Sequence, residues 1–424
     1  MARLPVIFQS RFTKNVSALA GSAVVAQGIS LLASPVLTRL YDPSDFGVFS
    51  QFFAIVMVLQ VISGLRYEIA IPLAEDDATV VNIAALALVL TLVTSALTTL
   101  VITVAGSTVA RHWGGESLVP FLWLVPIGML GGGLFQALSY WAVREKNFGL
   151  IARMKVRQSL GSTVAQLGLG LAGAGSMGLI LGGLANQVIG SGGLAKRGEV
   201  MARFGAARIS LASLRTTART FGGTALASSL SGVINTLGGQ LPFLLITSLF
   251  GAKAGGFFML SNKVFYASSE LIGNAVAQTY YGEASSRYRE DRDGFKRLFL
   301  RTSISLLGLG LVVAIAVWVL APWGIALVFG EKWREAGMYA RYLTILFLFN
   351  LVCSPVSTTV FILNKQHIQV VWDVFRLLVV AGCLYGAAHL GYDAVQAVLL
   401  YSIGAGAALC LLYFINLALV LKVR

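Results

Sequence analysis

The sequence predicts an all-α integral membrane protein with about twelve transmembrane helices, arranged as two pseudo-symmetric lobes of six helices each. The first observation is composition: 57% of the 424 residues are hydrophobic and only 12% are charged, whereas about a quarter of a soluble domain is charged. The second is a series of continuous apolar stretches of about twenty residues, each long enough to cross ~30 Å of hydrocarbon. The third is a similarity between the two halves of the chain.

The predicted spans follow one another with short connections along the whole chain. The four residues from Gly173 to Ser176 leave little room for a turn between spans five and six, so one broken helix is an alternative there. The predicted spans are roughly 16–38, 46–70, 79–106, 118–142, 156–173, 176–194, 221–249, 255–281, 299–322, 338–363, 367–388 and 394–420.

Charge asymmetry predicts the orientation. With the N-terminus in the cytoplasm, 24 of the 32 Lys and Arg residues fall in cytoplasmic segments and six in outer segments. Positive charge collects on the cytoplasmic side of membrane proteins, so both termini are expected in the cytoplasm, which requires an even number of spans. The net charge of +14 is therefore attributed to Lys and Arg residues of cytoplasmic loops that contact anionic lipid. No nucleic-acid partner is expected.

The chain is expected to divide into an N-terminal lobe (1–194), a basic cytoplasmic linker (195–220) and a C-terminal lobe (221–424). In the linker, Val200, Phe204 and Leu211 share one helical face, which is typical of an amphipathic helix on the membrane surface. A flexible basic linker is the alternative.

An internal repeat links the two lobes. Residues 37–53 resemble residues 245–260, and Gly47 and Phe49 align with Gly256 and Phe258 at an offset of 209. A second similarity pairs REKNF (144–148) with NKQHI (364–368) at an offset of 219. Two six-span repeats are typical of transporters that bind substrate between halves and alternate access.

Charged residues inside the predicted spans are the candidate substrate-binding residues. Burying one costs roughly 2.5–3.5 kcal/mol on insertion scales, so each requires a reason. Either they are ion pairs that pack helices, or they line a water-filled cavity and meet a polar or anionic substrate. The second reading is favoured because the charges are not repeated at offset 209. The candidates are Lys263, Glu270, Asp373 and Arg376, which lie well within spans, and Arg66 and Glu68, which lie near the inner end of the second span.

Spacing suggests which of these side chains lie together. Lys263 and Glu270 are seven residues apart, hence on one helical face and about 10 Å apart along the axis. Asp373 and Arg376 are three apart and are expected to touch.

Motifs for catalysis or nucleotide binding are missing from the sequence. It contains no Walker A motif, no HExxH, no paired-cysteine metal site and no nucleophile elbow. The three cysteines, Cys353, Cys383 and Cys410, lie in apolar stretches as packing residues. We therefore expect neither an enzyme nor a cofactor.

Four segments in order resemble the polysaccharide-biosynthesis flippases, the Wzx-like branch of the MOP superfamily. They are LTRLYDPSDFGVFSQFFAIV (from 37), LRYEIAIPLAEDD (65–77), QLPFLLITSLFGAKAGGFF (240–258) and GEASSRYREDRDGFKRLFLR (282–301). The resemblance implies a MOP/MATE-like fold that moves an undecaprenyl-pyrophosphate-linked oligosaccharide to the outer leaflet of the bacterial inner membrane. O-antigen, capsule and exopolysaccharide are all compatible products.

The resemblance also implies roles for the charges. Arg66, Lys263 and Arg376 would receive pyrophosphate and sugar, whereas Glu68, Glu270 and Asp373 would balance charge or couple to ions. With no ATP site, direction is expected from an ion gradient (H⁺ or Na⁺) or from consumption of the product, with a polysaccharide polymerase and export proteins as further partners. The alternatives are a MATE-like ion-coupled exporter of small molecules and a membrane-embedded glycan polymerase or ligase.

Overall fold

The computed structural model describes residues 6–112, 115–197 and 209–423, and within these residues it contains helices and turns but no β-strand. The N-terminal half contributes the following α-helices: α1 (Val6–Leu40), α2 (Pro43–Ser63), α3 (Asp77–Val101), α4 (Ser107–His112), α5 (Val125–Arg144), α6 (Phe148–Leu171) and α7 (Gly175–Arg197). The C-terminal half contributes α8 (Leu211–Phe250), α9 (Ala252–Glu290), α10 (Arg292–Phe329), α11 (Ala336–Ser357), α12 (Thr359–Ile362), α13 (Gln366–His389) and α14 (Ala394–Leu421).

Some of these helices join into longer runs. A π-helical stretch (Ile102–Gly106) joins α3 to α4, a 3-10 stretch (Glu116–Leu124) leads into α5, and α12 directly follows α11. The described part of the chain therefore holds twelve long helical segments, which confirms the predicted architecture. Ten of them are long and apolar enough to cross a membrane, and the two exceptions are α6 and α9. The turn at 172–174 separates α6 from α7, so two helices stand where one broken helix was the alternative.

Polar side chains define where several helices begin. Asp76 accepts a hydrogen bond from the backbone N–H of Thr79 (2.7 Å) at the start of α3, and this bond lowers the pKa of the exposed Asp76 carboxyl. Asp393 and Gln396 form a reciprocal capping box at the start of α14. These caps accept hydrogen bonds from N–H groups that lack partners inside the helix. Each cap therefore fixes the residue at which the helix begins.

The predicted linker is only partly described, since residues 198–208 lie outside the described residues. Residues 211–220 form the first turns of α8, which continues without a break to Phe250. At 40 residues this helix is ~60 Å long, about twice the thickness of the hydrocarbon core. The Tyr67 hydroxyl donates to the Ala218 carbonyl at 3.0 Å, which holds the beginning of α8 against the segment after α2.

Contacts divide the chain into two units. The first comprises residues 1–41 and 51–236, and the second comprises residues 42–50 and 237–424. The first two turns of α2 thus pack within the second unit, although the rest of α2 belongs to the first.

The second predicted similarity corresponds to two turns with the same backbone conformation, one in each unit. In the first unit Lys146 is left-handed (φ 54°), and the N–H of Asn147 bonds to the carbonyl of Ala142. In the second unit Asn364 is left-handed (φ 55°), and the N–H of Lys365 bonds to the carbonyl of Val360. The offset is 218 rather than the predicted 219, because backbone geometry aligns Lys146 with Asn364 instead of matching the two lysines.

Glycines of the first predicted repeat meet at a helix crossing inside the second unit. A Cβ atom on Gly47 would collide with the carbonyl oxygen of Ala252, and one on Gly256 would collide with the carbonyl oxygen of Pro43. Each contact is the image of the other, since Pro43 and Ala252 are also 209 residues apart. Nearby, the Phe46 ring meets the Trp333 ring edge to face, with centroids 5.0 Å apart. The sequence similarity at offset 209 therefore reflects a close approach of two backbones.

Candidate substrate-binding charges

The turn after α2 positions the first pair of candidate charges. The sequence analysis placed these residues in a second span over 46–70, but α2 ends at Ser63 and a 3-10 helix follows from Tyr67 to Leu73. Between them Leu65 (φ 46°) and Arg66 (φ 60°) both adopt the left-handed conformation. Each such residue costs roughly 1–2 kcal/mol, so surrounding contacts must hold this turn.

Arg66 lies with its guanidinium against the glycine face of α8. A Cβ atom on Gly232 would lie 2.7 Å from Arg66 Nη2, so a larger residue at 232 would displace the guanidinium from this position. Arg66 Nε is buried and has no hydrogen-bond partner among the described residues. Buried donors are normally bonded, so this nitrogen is an unfilled donor in the first unit.

Glu68 lies in the same turn as Arg66, but its side chain contacts a different helix, α5. Its side chain is only 4% exposed, and Oε1 accepts one hydrogen bond from Gln136 Nε2 of α5 at 2.9 Å. Oε2 is buried without a partner among the described side chains and backbone. Arg66 and Glu68 are thus two residues apart in sequence, but the left-handed turn directs them toward different helices.

The second unit holds Arg376 on α13. Its Nη2 lies 3.5 Å from Asp373 Oδ1, as the three-residue spacing led us to expect, and its guanidinium carbon lies 5.0 Å from the centroid of the Trp372 ring. Trp372 is fixed in turn by a hydrogen bond from Nε1 to the Ala408 carbonyl at 2.8 Å. Arg376 Nε is buried and lacks a partner within the described residues.

A glycine of α8 also lies beside this second arginine. A Cβ atom on Gly238 would be 2.6 Å from Arg376 Nη2, whereas one on Gly239 would meet no atom within 4 Å. The glycine at 238 therefore provides the space that the guanidinium occupies.

Lys263 and Glu270 were predicted to share one face of α9. Lys263 is partly buried, and within the described residues no carboxylate lies within ion-pair distance of its amine. The side chain of Glu270 lies outside the described residues, so its alignment with Lys263 stays a prediction.

Sequence reasoning missed the neighbours that shape both sites, namely Gln136, Trp372, Gly232 and Gly238. Trp372 carries a usable signal, because it precedes Arg376 by four residues and so lies one helical turn away. The glycines carry none, since α8 contains several and only the packing reveals which of them face a guanidinium.

A second group of charged residues in the second unit forms ion pairs among its own members. It surrounds an open pocket of about 460 Å³ whose lining includes Phe257, Pro322 and Met338. Arg334 donates to both carboxylate oxygens of Glu331, and this bond lowers the pKa of the Glu331 carboxyl. The remaining ion pairs of this group are Lys332 with Asp42 (3.0 Å) and Lys253 with Glu335 (3.9 Å). These exposed ion pairs neutralise one another, as Asp373 does Arg376, whereas Arg66 has no ion pair within the described residues.

Comparisons with known proteins place these features in a family and a fold. The sequence model of the family described as polysaccharide biosynthesis protein matches residues 36–338. The succinoglycan biosynthesis transport protein ExoT of Rhizobium meliloti (strain 1021) is 24% identical over 395 residues, covering 90% of this chain and 76% of ExoT.

Solved structures of MOP-superfamily transporters share the fold. One is an inward-facing multidrug resistance MATE family transporter, at 15% identity with a TM-score of 0.61, covering 97% of this chain and 98% of that chain. Another is a MOP superfamily transporter from Pyrococcus furiosus, at 15% identity with a TM-score of 0.58, covering 97% and 96%.

Proposed function

This chain belongs to the polysaccharide biosynthesis protein family, and on that premise we propose that it is a flippase for an undecaprenyl-pyrophosphate-linked oligosaccharide. It is a multi-pass membrane protein with the fold of MOP-superfamily transporters. In the proposed reaction the head group moves from the inner to the outer leaflet of the bacterial inner membrane by alternating access, while the lipid tail stays in the bilayer. We also propose that both termini lie in the cytoplasm.

The observation that carries this proposal is the pair of arginines whose Nε donors are buried and unfilled. Arg66 in the first unit and Arg376 in the second each keep a buried Nε without a partner among the described residues. A pyrophosphate-sugar head group cannot cross hydrocarbon unaided, because its charges and hydroxyls would lose their water. Guanidinium donors replace that water with charge-assisted hydrogen bonds, which is the chemistry that these two nitrogens offer.

The unused hydrogen-bond donors favour an anionic substrate over the small cationic substrate of the MATE-like alternative. The six candidate side chains divide evenly into three cationic and three acidic ones, so their sum favours neither sign. Arg66 and Arg376 each keep a buried Nε without a partner among the described residues, and such donors suit an anion. The relative ExoT is a transport protein of succinoglycan biosynthesis, which supports a saccharide substrate for this chain.

The direction of transport needs a source of free energy. The sequence has no nucleotide-binding motif, so we propose that an ion gradient (H⁺ or Na⁺) or consumption of the product in the outer leaflet drives the cycle. A polysaccharide polymerase and export proteins are the proposed consumers.

Leaflet-resolved analysis of lipid-linked glycans tests the function directly. We expect that deleting the gene traps the oligosaccharide in the inner leaflet, where added outer-face glycosidases do not reach it. Restoring the full chain should return it to the outer leaflet. If the glycan reaches the outer leaflet equally in both strains while the amount of polymer falls, the chain acts after flipping and the proposal is wrong.

Neighbouring glycines of α8 provide a matched test of the Arg376 site. We expect Gly238→Ala to reduce flipping about tenfold, because the new methyl group displaces the guanidinium and weakens a charge-assisted hydrogen bond. Gly239→Ala, which adds the same methyl group into open space, should flip at the wild-type rate. Equal rates for both variants in reconstituted vesicles would contradict the proposed role of Arg376.

A further inference from the structure

Arg66, which is partly buried, and Glu68, which is buried, carry opposite charges but do not form an ion pair with each other. Although they are two residues apart in sequence, no ion pair joins these two described side chains, because Arg66 packs on Gly232 and Glu68 bonds to Gln136. Each retains a buried polar atom without a partner in the described chain, Nε on Arg66 and Oε2 on Glu68. Each group therefore has an opening for a ligand of its own, an anion for Arg66 and a cation for Glu68.

The surroundings of Oε2 favour a proton as that cation, because no described group donates a hydrogen bond to this oxygen. Gly64 leaves a space beside it: a Cβ there would lie 2.9 Å from Glu68 Oε2 and 3.5 Å from both the Ala87 carbonyl oxygen and Thr91 Oγ1. The Thr91 hydroxyl already donates to the Ala87 carbonyl at 2.8 Å, so its hydrogen is not available to Glu68. An ionised carboxylate needs donors, whereas a protonated carboxyl has a hydrogen to give. A buried carboxyl oxygen that meets no donor among the described residues is therefore favoured in its protonated form.

Other charged groups near Glu68 are already engaged or exposed. The helices packed on the 3-10 segment are α3 and α5. The buried residues of α3 are uncharged, and on α5 Gln136 is neutral, while Arg144 pairs with the Ala74 carbonyl and with Asp77 at 3.7 Å. On α8, which meets Tyr67, Arg215 and Arg219 are exposed. Arg66 is thus the charge that responds to the state of Glu68.

We infer that the anionic head group and a proton bind together at this site: a proton on Glu68 leaves Arg66 uncompensated and so raises its affinity for the diphosphate. This inference rests on the proposed function, and it concerns head-group binding rather than the force that drives transport. With Glu68 ionised the pair is neutral and attracts an anion weakly, and with Glu68 protonated its net charge is +1. By linkage, binding of the head group must then raise the fraction of Glu68 that carries a proton. The head group and the proton therefore bind together and do not compete.

Equilibrium binding to the purified full-length protein in nanodiscs tests the sign of this linkage. The probe is a short isoprenyl-diphospho-sugar, whose diester diphosphate keeps its charge between about pH 6 and about pH 8. We expect wild-type affinity to fall with rising pH, by up to about tenfold per pH unit for one linked proton. Glu68→Gln keeps the acceptor for Gln136 and imitates the protonated state, so it should bind tightly at both pH values and take up no proton.

Control variants separate this effect from damage to the turn. Tyr67→Phe removes the hydroxyl that donates to Ala218 but keeps both charges, so it should retain the wild-type pH slope. Arg66→Gln should lose binding at both pH values. Affinity that rises with pH would mean competition between proton and head group and would overturn the inference, as would a wild-type slope in Glu68→Gln.

A second probe, inorganic sulfate, distinguishes this inference from the proposed function. If the diphospho-sugar binds without a pH slope, the linkage is wrong and the proposed substrate stands. If only sulfate binds, with the expected slope and its loss in Glu68→Gln, the linkage stands and the proposed substrate is wrong. If neither anion binds, both are wrong.

Discussion

Replacing Arg376 with glutamine is expected to lower the rate of oligosaccharide flipping by about tenfold to hundredfold, with the protein still inserted in the membrane. The substitution removes the charge that faces Asp373 at 3.5 Å and the Trp372 ring at 5.0 Å. It also removes the unfilled Nε donor. A hydrogen bond to a charged group contributes about 1.5–3 kcal/mol, which sets the size of the expected loss.

Arg66→Gln is expected to have the same effect through the first unit, since Arg66 also keeps a buried, unpartnered Nε within the described residues. The readout is the rate at which a labelled lipid-linked oligosaccharide becomes accessible in the outer leaflet of reconstituted vesicles. Replacing either arginine with lysine should restore only part of the rate, because an ammonium keeps the charge but lacks the planar fork of donors.

Arg297→Gln is the matched control for both substitutions. Its side chain is 73% exposed and pairs with Asp291 at 3.5 Å, and exposed pairs of this kind contribute little. It should flip at the wild-type rate. Wild-type flipping by both Arg66→Gln and Arg376→Gln would refute the assignment of these residues to the head-group site.

Adding a methyl group at the glycine crossing of the second unit should have the second-largest effect. Gly47→Ala and Gly256→Ala each place a Cβ against a backbone carbonyl, of Ala252 and Pro43 respectively. A backbone atom cannot turn aside as a side chain can, so the helices must separate. Overpacking of this kind costs about 1–3 kcal/mol, which thermal unfolding in detergent should detect as a lower midpoint for each variant.

A double substitution makes this test specific. Since both glycines serve one crossing, Gly47→Ala combined with Gly256→Ala should cost less than the sum of the single changes, because the first methyl group has already opened the contact. The control is Gly324→Ala in α10, where a Cβ meets no atom within 4 Å and helix propensity favours alanine by about 1 kcal/mol. Additive losses, or a loss in Gly324→Ala of similar size, would argue against the crossing.

The sequence analysis predicted the helices more accurately than the site. Apolar stretches predicted the twelve long helices, and in ten of these the length needed to cross hydrocarbon leaves a strong signal. The end of α2 was misplaced, since the apolar residues of the following 3-10 segment, such as Ile69 and Ile71, continue the hydrophobic pattern. A hydrophobic pattern indicates which residues are buried, but it does not indicate backbone torsions. The left-handed conformation of Leu65 and Arg66 ends the helix.

The candidate charges could be named from the sequence because a charged residue in an apolar stretch stands out. Their partners could not be named in the same way. Asp373 and Arg376 are joined by local helical spacing, which the sequence encodes directly. The contact of Glu68 with Gln136 joins residues 68 positions apart, and no local pattern of either segment specifies it.

The sequence by itself determined the helical membrane architecture, the two-fold repeat and the positions of the interior charges, because each follows from composition and spacing along one segment. Only the tertiary structure decided what those charges face: Arg66 and Arg376 lie against single glycines of α8, and Glu68 turns away from Arg66 toward α5. The physical reason is that hydrophobic length and helical period act within a segment, whereas an unfilled donor or acceptor depends on atoms that distant segments bring to it.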